Sequence, residues 1–273
     1  MKWKYSESFA GVGAWGKAID RVTKRHNDTS ELQWYAEIDK YASNAFAAIH
    51  DTSEKLNIWD ITKDIEVKPM DIFFYSPPCQ TFSIAGKREL TSVPKGNLFY
   101  DAVKFIKQQK PKYAIMENVR GLPSGDSKKD FYNMLWYLEE IGYVNYWQIL
   151  NTKDYGIPQN RERVFIVSIR KDLYDQGKRF EFPKPIKLKL QLEDLLEDYG
   201  VPLKPEEIEK ISFEDDLKFG MYAADYRYDE GFRVRRNKIS PCLKANMYKS
   251  GDMSNALYKF KVNSNTKRGY EVA

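Results

Sequence analysis

The sequence of 273 residues has few of the side chains that build metal sites or disulfide frameworks. It holds two cysteines, Cys79 and Cys242, and two histidines. Neither a CxxC nor an HxxxH spacing occurs, so we expect no metal site and no disulfide scaffold. No apolar run approaches the ~20 residues of a membrane-spanning helix, and the charged first residues lead into no apolar leader segment. These absences predict an intracellular protein that binds neither a metal nor a membrane.

Charge of both signs is present, but it is unevenly distributed. Residues 218–273 contain 12 of the 44 Lys and Arg and 5 of the 39 Asp and Glu, which gives this tail a net charge of +7 and leaves −2 for the rest. A basic surface attracts polyanions such as nucleic acid. Lysine-rich solvated surfaces are also common, so charge alone leaves both interpretations open.

Through the first 170 residues, apolar segments of strand length alternate with amphipathic segments of helical length. Strands are predicted at 5–10, 33–36, 71–75, 113–116, 146–150 and 164–169, and helices at 15–23, 41–49, 98–108 and 129–141. This alternation is typical of a βαβ series with a parallel sheet. We therefore predict an α/β, doubly wound fold.

Beyond residue 170 the alternation stops. A proline-punctuated segment at 180–185 is followed by an acidic stretch at 192–216, for which we predict one or two short surface helices. The basic region from Lys218 lacks a clear period and is expected to be a small irregular domain. We place the boundary near residue 180, with 1–180 as one domain and 181–273 as a linker and a second region.

A glycine motif and an acidic residue suggest a nucleotide-like ligand. The segment from Gly11 to Gly16 fits GxGxxG between a predicted strand and a predicted helix, and Glu37 follows about 21 residues later, at the end of the next strand. An acidic residue at that place can accept hydrogen bonds from ribose hydroxyls. A nicotinamide dinucleotide fits this pair, and so does a tight turn followed by an exposed glutamate.

Reactive side chains follow or precede three other predicted strands. Cys79 comes after Pro77 and Pro78 beyond the strand at 71–75, in the position of a nucleophile, although an isolated cysteine is often a small buried side chain. Glu117 and Asn118 follow the strand at 113–116. Arg161 and Arg163 precede the strand at 164–169. We expect the thiol, the carboxyl and the guanidinium groups to meet at one sheet edge.

Taken in order, Phe9-Ala10-Gly11-Val12-Gly13, Pro78-Cys79-Gln80, Glu117-Asn118-Val119 and Gln159-Asn160-Arg161-Glu162-Arg163 resemble the motifs of the bacterial and phage DNA (cytosine-5)-methyltransferases. The resemblance covers residues 5–170. It implies a Rossmann-like methyltransferase fold in a cytoplasmic protein. Residues 1–180 would then be the catalytic and cofactor-binding domain, and 181–273 a linker and a partial target-recognition region.

The resemblance implies S-adenosyl-L-methionine as the cofactor rather than NAD. Phe9 would lie near the adenine, Glu37 would hold the ribose and Asp60 would meet the adenine edge, whereas Ile38 departs from the aromatic residue of many relatives. The implied cofactor-binding set is Phe9, Ala10, Gly11, Val12, Gly13, Glu37, Ile38, Asp60, Ile61, Pro78 and Leu98.

The resemblance also implies the catalytic roles and the partner. Cys79 would add to a flipped-out cytosine, Glu117 would meet its N3 and exocyclic amine, and Arg163 would hold O2 and orient Glu117. Asn118 and Arg161 complete the implied catalytic set. Double-stranded DNA would contact the loop 83–96 and the tail, through Ser83, Lys87, Arg88, Lys95, Arg233, Arg235, Arg236 and Lys244.

One departure from the family concerns the end of the chain. The late G-N-S-V-type motif of the family is not found, so we expect either a truncated methyltransferase or one half of a split enzyme that a second polypeptide completes. An RNA cytosine-5 methyltransferase on the same scaffold and a non-enzymatic interaction module are the alternatives.

Overall fold

The computed structural model describes residues 1–78 and 98–190, and the backbone of five strands at 211–213, 220–227, 231–236, 257–262 and 270–272. The chain divides into two compact units. The first consists of Met1–Leu150 and Arg163–Pro183, and the second of Asn151–Glu162 and Lys184–Ala273. The domain limits that we predicted from the sequence stay a prediction.

A six-stranded sheet forms the centre of the first unit. Its strands are β1 (Lys2–Ser8), β2 (Thr29–Ala36), β3 (Ile72–Tyr75), β4 (Tyr113–Val119), β5 (Tyr143–Asn151) and β6 (Glu162–Arg170). The helices are α1 (Ala14–Arg25), α2 (Lys40–Ile49), α3 (Leu98–Gln109), α4 (Lys128–Glu140) and α5 (Lys171–Asp175). All six predicted strands and all four predicted helices are confirmed, with their ends displaced by a few residues.

The strand order is β2-β1-β3-β4-β6-β5. The first four of these strands are parallel, whereas β6 runs antiparallel to β4. The predicted parallel sheet is therefore correct for β1 to β4 and wrong for β6. Strands β5 and β6 are neighbours in the sheet, and the segment between them holds only a short 3₁₀ helix at Thr152–Tyr155. A parallel neighbour would need a longer crossover connection, usually a helix, so this short connection favours a reversal of direction.

Helices cover both faces of the sheet. In β3, Phe73 and Tyr75 point to the face where the apolar sides of α3 and α4 pack, in a cluster that includes Phe105 and Phe131. The intervening Phe74 packs on the opposite face, with Ile19 of α1. Successive side chains of a strand alternate between its faces, and here both sets are buried. This two-sided burial confirms the doubly wound α/β fold.

The second unit contains a five-stranded sheet. Its strands are β7 (Ile211–Phe213), β8 (Gly220–Arg227), β9 (Gly231–Arg236), β10 (Leu257–Val262) and β11 (Tyr270–Val272), in the order β11-β10-β8-β9-β7. The expectation of an irregular tail was therefore wrong, because tyrosines and arginines interrupt the apolar alternation by which strands are recognised. Of the acidic stretch predicted to be helical, 211–213 is a strand, and 192–210 and 214–216 lie outside the described residues.

Two further observations concern the described part of the chain. None of its helices combines the length and the apolar character that crossing a membrane requires. Its His, Cys, Asp and Glu side chains form no group of three or more that could hold a metal ion.

Candidate active site

The C-terminal ends of β1, β2 and β3 open onto one edge of the sheet because the three strands are parallel. The chain passes from β1 to β2 on one side of β1 and then to β3 on its other side. In open α/β sheets, ligands bind at such a reversal of strand order, beyond the carboxyl ends of the strands. The candidate site therefore lies beyond Ser8, Ala36 and Tyr75.

A cavity of about 340 Å³ lies at this edge, within the usual volume range of small-molecule sites. It is lined by Phe9, Ala36, Glu37, Ile38, Trp59, Asp60, Ile61, Thr62, Ser76, Pro78 and Leu98. Seven of the residues predicted to bind the cofactor are among them: Phe9, Glu37, Ile38, Asp60, Ile61, Pro78 and Leu98. The cavity thus combines apolar walls with two carboxylates.

The remaining four predicted cofactor residues form the turn between β1 and α1. The Ala10 amide donates to the Ala36 carbonyl over 3.1 Å, and the Gly11 amide donates to Oε2 of Glu37 over 2.8 Å. Gly13 precedes α1 with a φ of 82°, and Val12 is half exposed. These residues shape the turn and position Glu37. They are not among the residues that line the described cavity, whereas the adjoining Phe9 and the hydrogen-bonded Glu37 are.

The two carboxylates at the cavity are held by hydrogen bonds. Glu37 accepts one at Oε1 from the Asp39 amide, over 2.8 Å, in addition to that from Gly11. Asp60 accepts from the amide and the hydroxyl of Thr62, over 3.0 and 2.7 Å. These bonds, the hydroxyl's first, lower the pKa of the Asp60 carboxyl. Carboxylate oxygens can accept further bonds, so this set fits a nucleoside with ribose hydroxyls and an exocyclic amino group.

Four lining residues are absent from the predicted set: Ala36, Trp59, Thr62 and Ser76. Trp59 and Thr62 adjoin Asp60 and Ile61, which were predicted to bind the cofactor, so this adjacency could have identified them. Ser76 directly follows β3, and its hydroxyl accepts a hydrogen bond from the Trp15 indole over 3.3 Å.

A carboxylate and a guanidinium meet at the end of β4. The Nε atom of Arg163 lies 2.9 Å from Oε1 of Glu117, and each side chain is about one-fifth exposed. Glu117 stands opposite Phe165 in the ladder and Arg163 opposite Val119, so the ion pair joins diagonal neighbours on one face. The structure thus brings together two of the predicted catalytic residues.

Asn118 connects β4 to the segment that leads to Cys79. Its buried side chain donates from Nδ2 to the Pro77 carbonyl over 2.8 Å, and its Oδ1 accepts from the Val119 amide over 2.8 Å. The hydrogen bond to Pro77 thus holds the backbone two residues before Cys79 in place. Cys79 itself lies outside the described residues, together with Ser83, Lys87, Arg88 and Lys95.

The other predicted site residues belong to the second unit. The Arg161 amide donates to Oδ1 of Asn151 over 3.1 Å, and its carbonyl accepts from the Thr152 amide over 3.1 Å. Strand β9 carries Arg233, Arg235 and Arg236. Lys244 lies outside the described residues. The functional roles of all these residues stay predictions.

The fold is that of the Rossmann-like methyltransferases. DNMT2 from Spodoptera frugiperda superposes with a TM-score of 0.62 at 20% identity, covering 96% of this chain and 76% of that one. Dnmt2 from S. pombe gives 0.60 at 15% identity, covering 98% and 78%. At these identities the likeness is one of fold alone.

The family follows from the sequence. The model of the C-5 cytosine-specific DNA methylases matches residues 3–269, and the chain belongs to this family. It is 41% identical over 164 residues to the type II methyltransferase M2.ScrFI of Lactococcus lactis subsp. cremoris, covering 59% of this chain and 44% of the relative. It is 38% identical over 168 residues to the orphan methyltransferase M.SPRI of Bacillus phage SPR, covering 60% and 37%. These matches span less than half of each relative.

Proposed function

We propose that this chain transfers a methyl group from S-adenosyl-L-methionine to carbon 5 of a cytosine in double-stranded DNA. The proposal is carried by the ion pair of Glu117 and Arg163, which stands at the sheet edge where Pro77 and Pro78 lead to Cys79. Membership of the cytosine-5 family supports the same reaction.

The cavity beyond β1, β2 and β3 is the proposed cofactor site. S-adenosyl-L-methionine supplies an activated methyl group on a sulfonium when bound. Glu37 would accept hydrogen bonds from the ribose hydroxyls, and Asp60 would accept from the amino group of the adenine. Phe9, Ile61 and Leu98 give this site apolar walls, which exclude water from the ligand.

The proposed chemistry makes carbon 5 nucleophilic. The Cys79 thiolate adds to C6, which forms an S–C6 bond and moves the ring's π electrons toward N3 and C5. Carbon 5 would then form its bond to the methyl group as the bond between that methyl and the donor's sulfonium sulfur breaks, and the electron pair of the broken bond would stay on the sulfur of the departing thioether. A base removes the C5 proton, the electrons of that C–H bond restore the C5–C6 double bond, and the S–C6 bond breaks to return the thiolate.

Glu117 would stabilise the charge that develops on the ring, by donating a proton or a hydrogen bond to N3. Arg163 would hold the Glu117 carboxyl in place and donate to O2 of the base. Asn118 would act as a positioning residue, because it holds the backbone two residues before Cys79. Arg161 is proposed to complete this group.

The target base must leave the duplex, since neither face of a stacked cytosine is open to a thiol. We propose that the loop 83–96 and the basic tail contact the DNA during this step. Ser83, Lys87, Arg88 and Lys95 would act from the loop, and Arg233, Arg235, Arg236 and Lys244 from the tail. Contacts to phosphate would position the duplex without reading its sequence.

Methyl transfer onto DNA of mixed sequence tests the proposal. The full chain is incubated with isotopically labelled S-adenosyl-L-methionine and duplex DNA or, in parallel, RNA, and the nucleosides are analysed by mass spectrometry. We expect labelled 5-methylcytosine from DNA, and none from the Cys79→Ala variant. Label in RNA alone, or on another cytosine atom, would contradict the proposal. Product from the isolated chain would show that no second polypeptide is required.

A further inference from the structure

The cavity at the sheet edge has two aromatic side chains in its lining, Phe9 and Trp59. Both residues have a left-handed backbone, with φ values of 56° and 55°. This conformation is a genuine outlier for a bulky side chain and is energetically unfavourable. Such strain persists where the surrounding structure holds it, and it concentrates at ligand sites.

The two aromatic residues differ in how their rings are used. Phe9 packs against the main core cluster of the unit, so that part of its ring is already in contact with protein. The Trp59 side chain is 40% exposed, although it lines the cavity. Ile38, another exposed lining residue, is aliphatic and has no π face. Trp59 therefore offers the larger open aromatic surface to a ligand.

A buried amide holds Trp59 in its strained conformation. The Trp59 amide donates to Oδ1 of Asn57 over 2.9 Å, and the Glu37 amide donates to the same oxygen over 3.0 Å. The Asn57 Nδ2 donates to the Glu37 carbonyl and to the Ser43 hydroxyl, over 2.9 Å each. All four hydrogen-bonding positions of the Asn57 side chain are thus occupied. Asn57 fixes Trp59 and Glu37 relative to one another.

We propose that Trp59 is the stacking platform of this cavity, and that the purine ring of the ligand lies against its indole while Glu37 holds the ribose. The inference rests on the proposed function, because it takes the ligand to be an adenosine cofactor. Asn57 acts as the positioning residue that sets the distance between the platform and the carboxylate. Stacking of a base on an aromatic side chain is worth enough to change affinity by roughly five- to a hundredfold.

Calorimetric titration of the full chain with S-adenosyl-L-homocysteine tests this proposal, since that ligand carries the adenosine without a reactive methyl group. We expect Trp59→Ala to raise the dissociation constant about tenfold or more. Trp59→Phe should stay within about threefold of the wild type, because a phenyl ring also stacks. Trp136→Ala is the matched control, since Trp136 is equally exposed, at 40%, but lies on α4 and is not part of the cavity lining.

The comparison of Trp59→Phe with Trp59→Leu decides the outcome if Trp59→Ala does not fold. Leucine fills part of the same space without a π face, so the Trp59→Leu variant should bind S-adenosyl-L-homocysteine at least about fivefold more weakly than the Trp59→Phe variant. Equal affinities of the aromatic and aliphatic variants would overturn the role of Trp59 and leave the proposed function intact. A wild-type chain that binds neither S-adenosyl-L-homocysteine nor S-adenosyl-L-methionine would overturn both.

Discussion

Arg163 reaches Glu117 from a strand that runs in the opposite direction, and its Nε lies 2.9 Å from the Oε1 of Glu117. Because β6 is antiparallel to β4, the beginning of β6 lies beside the end of β4. A parallel β6 would carry Arg163 to the other edge of the sheet. The reversal of one strand thus assembles the ion pair at the candidate active site.

Replacing Arg163 by Ala should lower the rate of methyl transfer while the fold is kept. The Glu117 carboxyl loses the group that orients it, and the ring loses a donor at O2. Losses of one charge-stabilising donor cost about 10²- to 10³-fold in kcat. The control is Arg170→Ala at the far end of β6, where Arg170 pairs with Asp172 over 2.7 Å. Equal rates for the two variants, measured by label incorporation, would remove Arg163 from the mechanism.

Asn118→Ala should affect both stability and the reaction of Cys79. The buried Pro77 carbonyl loses its donor, which costs on the order of 1–3 kcal/mol. Asn145→Ala is the matched control, because Asn145 donates to the Leu135 carbonyl over 3.0 Å at another place in the sheet. Both variants should melt at lower temperature. Only Asn118→Ala should slow covalent trapping of the folded protein, and an unchanged trapping rate would limit Asn118 to a structural role.

The two glycines of the turn after β1 should respond differently to alanine. A Cβ at Gly11 meets no atom within 4 Å, whereas one at Gly13 would collide with the His50 ring and lie 2.7 Å from a Phe46 ring carbon. Gly11→Ala should therefore cost only the left-handed strain, about 1–2 kcal/mol. Gly13→Ala should cost clearly more. Chemical denaturation ranks the two, and equal losses would contradict this packing around Gly13.

Glu7 should make the stability of the protein depend on pH. Its side chain is buried in β1, and this burial raises its pKa from 4.5 to about 8, against the opposing effect of the hydrogen bond from the Gly16 amide. The folded protein thus favours the neutral acid. The stability that Glu7 contributes is fully present below pH 4.5 and is lost progressively as the pH rises to about 8.

Glu7→Gln removes this titration and keeps an acceptor for the Gly16 amide. The melting temperature of the variant should therefore rise relative to that of the wild type between about pH 4.5 and pH 8 and change little above. Glu66→Gln, at an exposed position, serves as the control. A difference between Glu7→Gln and the wild type that is constant with pH would contradict a buried neutral Glu7.

The sequence was sufficient to predict the elements of the first unit, because each strand contains a short segment rich in apolar residues, continuous in β3, and the helices have one apolar side. Phe73, Phe74 and Tyr75 are of this kind, since helices cover both faces of β3. It was not sufficient to predict that β6 is antiparallel to β4, since the residue pattern of a strand does not depend on the direction in which the strand runs in the sheet. The strands of the second unit were missed because residues such as Arg233 and Arg235 occupy them.

Local sequence patterns likewise predicted only part of the candidate site. Residues at strand ends could be placed, such as Glu37 directly after β2 and Glu117 near the end of β4, because strand ends define the edge of the sheet. Trp59 and Asn57 lie in a segment between α2 and β3 without helical or strand periodicity. Their relationship to Glu37 depends on hydrogen bonds between distant parts of the chain, which no local pattern encodes.

Covalent trapping on DNA tests whether Cys79 is the nucleophile of the reaction. Duplex oligonucleotides with 5-fluorocytosine at each cytosine are incubated with the full chain and S-adenosyl-L-methionine, and the products are separated under denaturing conditions. Fluorine cannot leave as the C5 proton does, so we expect a stable protein–DNA adduct whose digest carries the nucleotide on Cys79, and no adduct with Cys79→Ser. An adduct on another residue, or methyl transfer to ordinary cytosine by Cys79→Ser at the wild-type rate, would show that Cys79 is not the nucleophile.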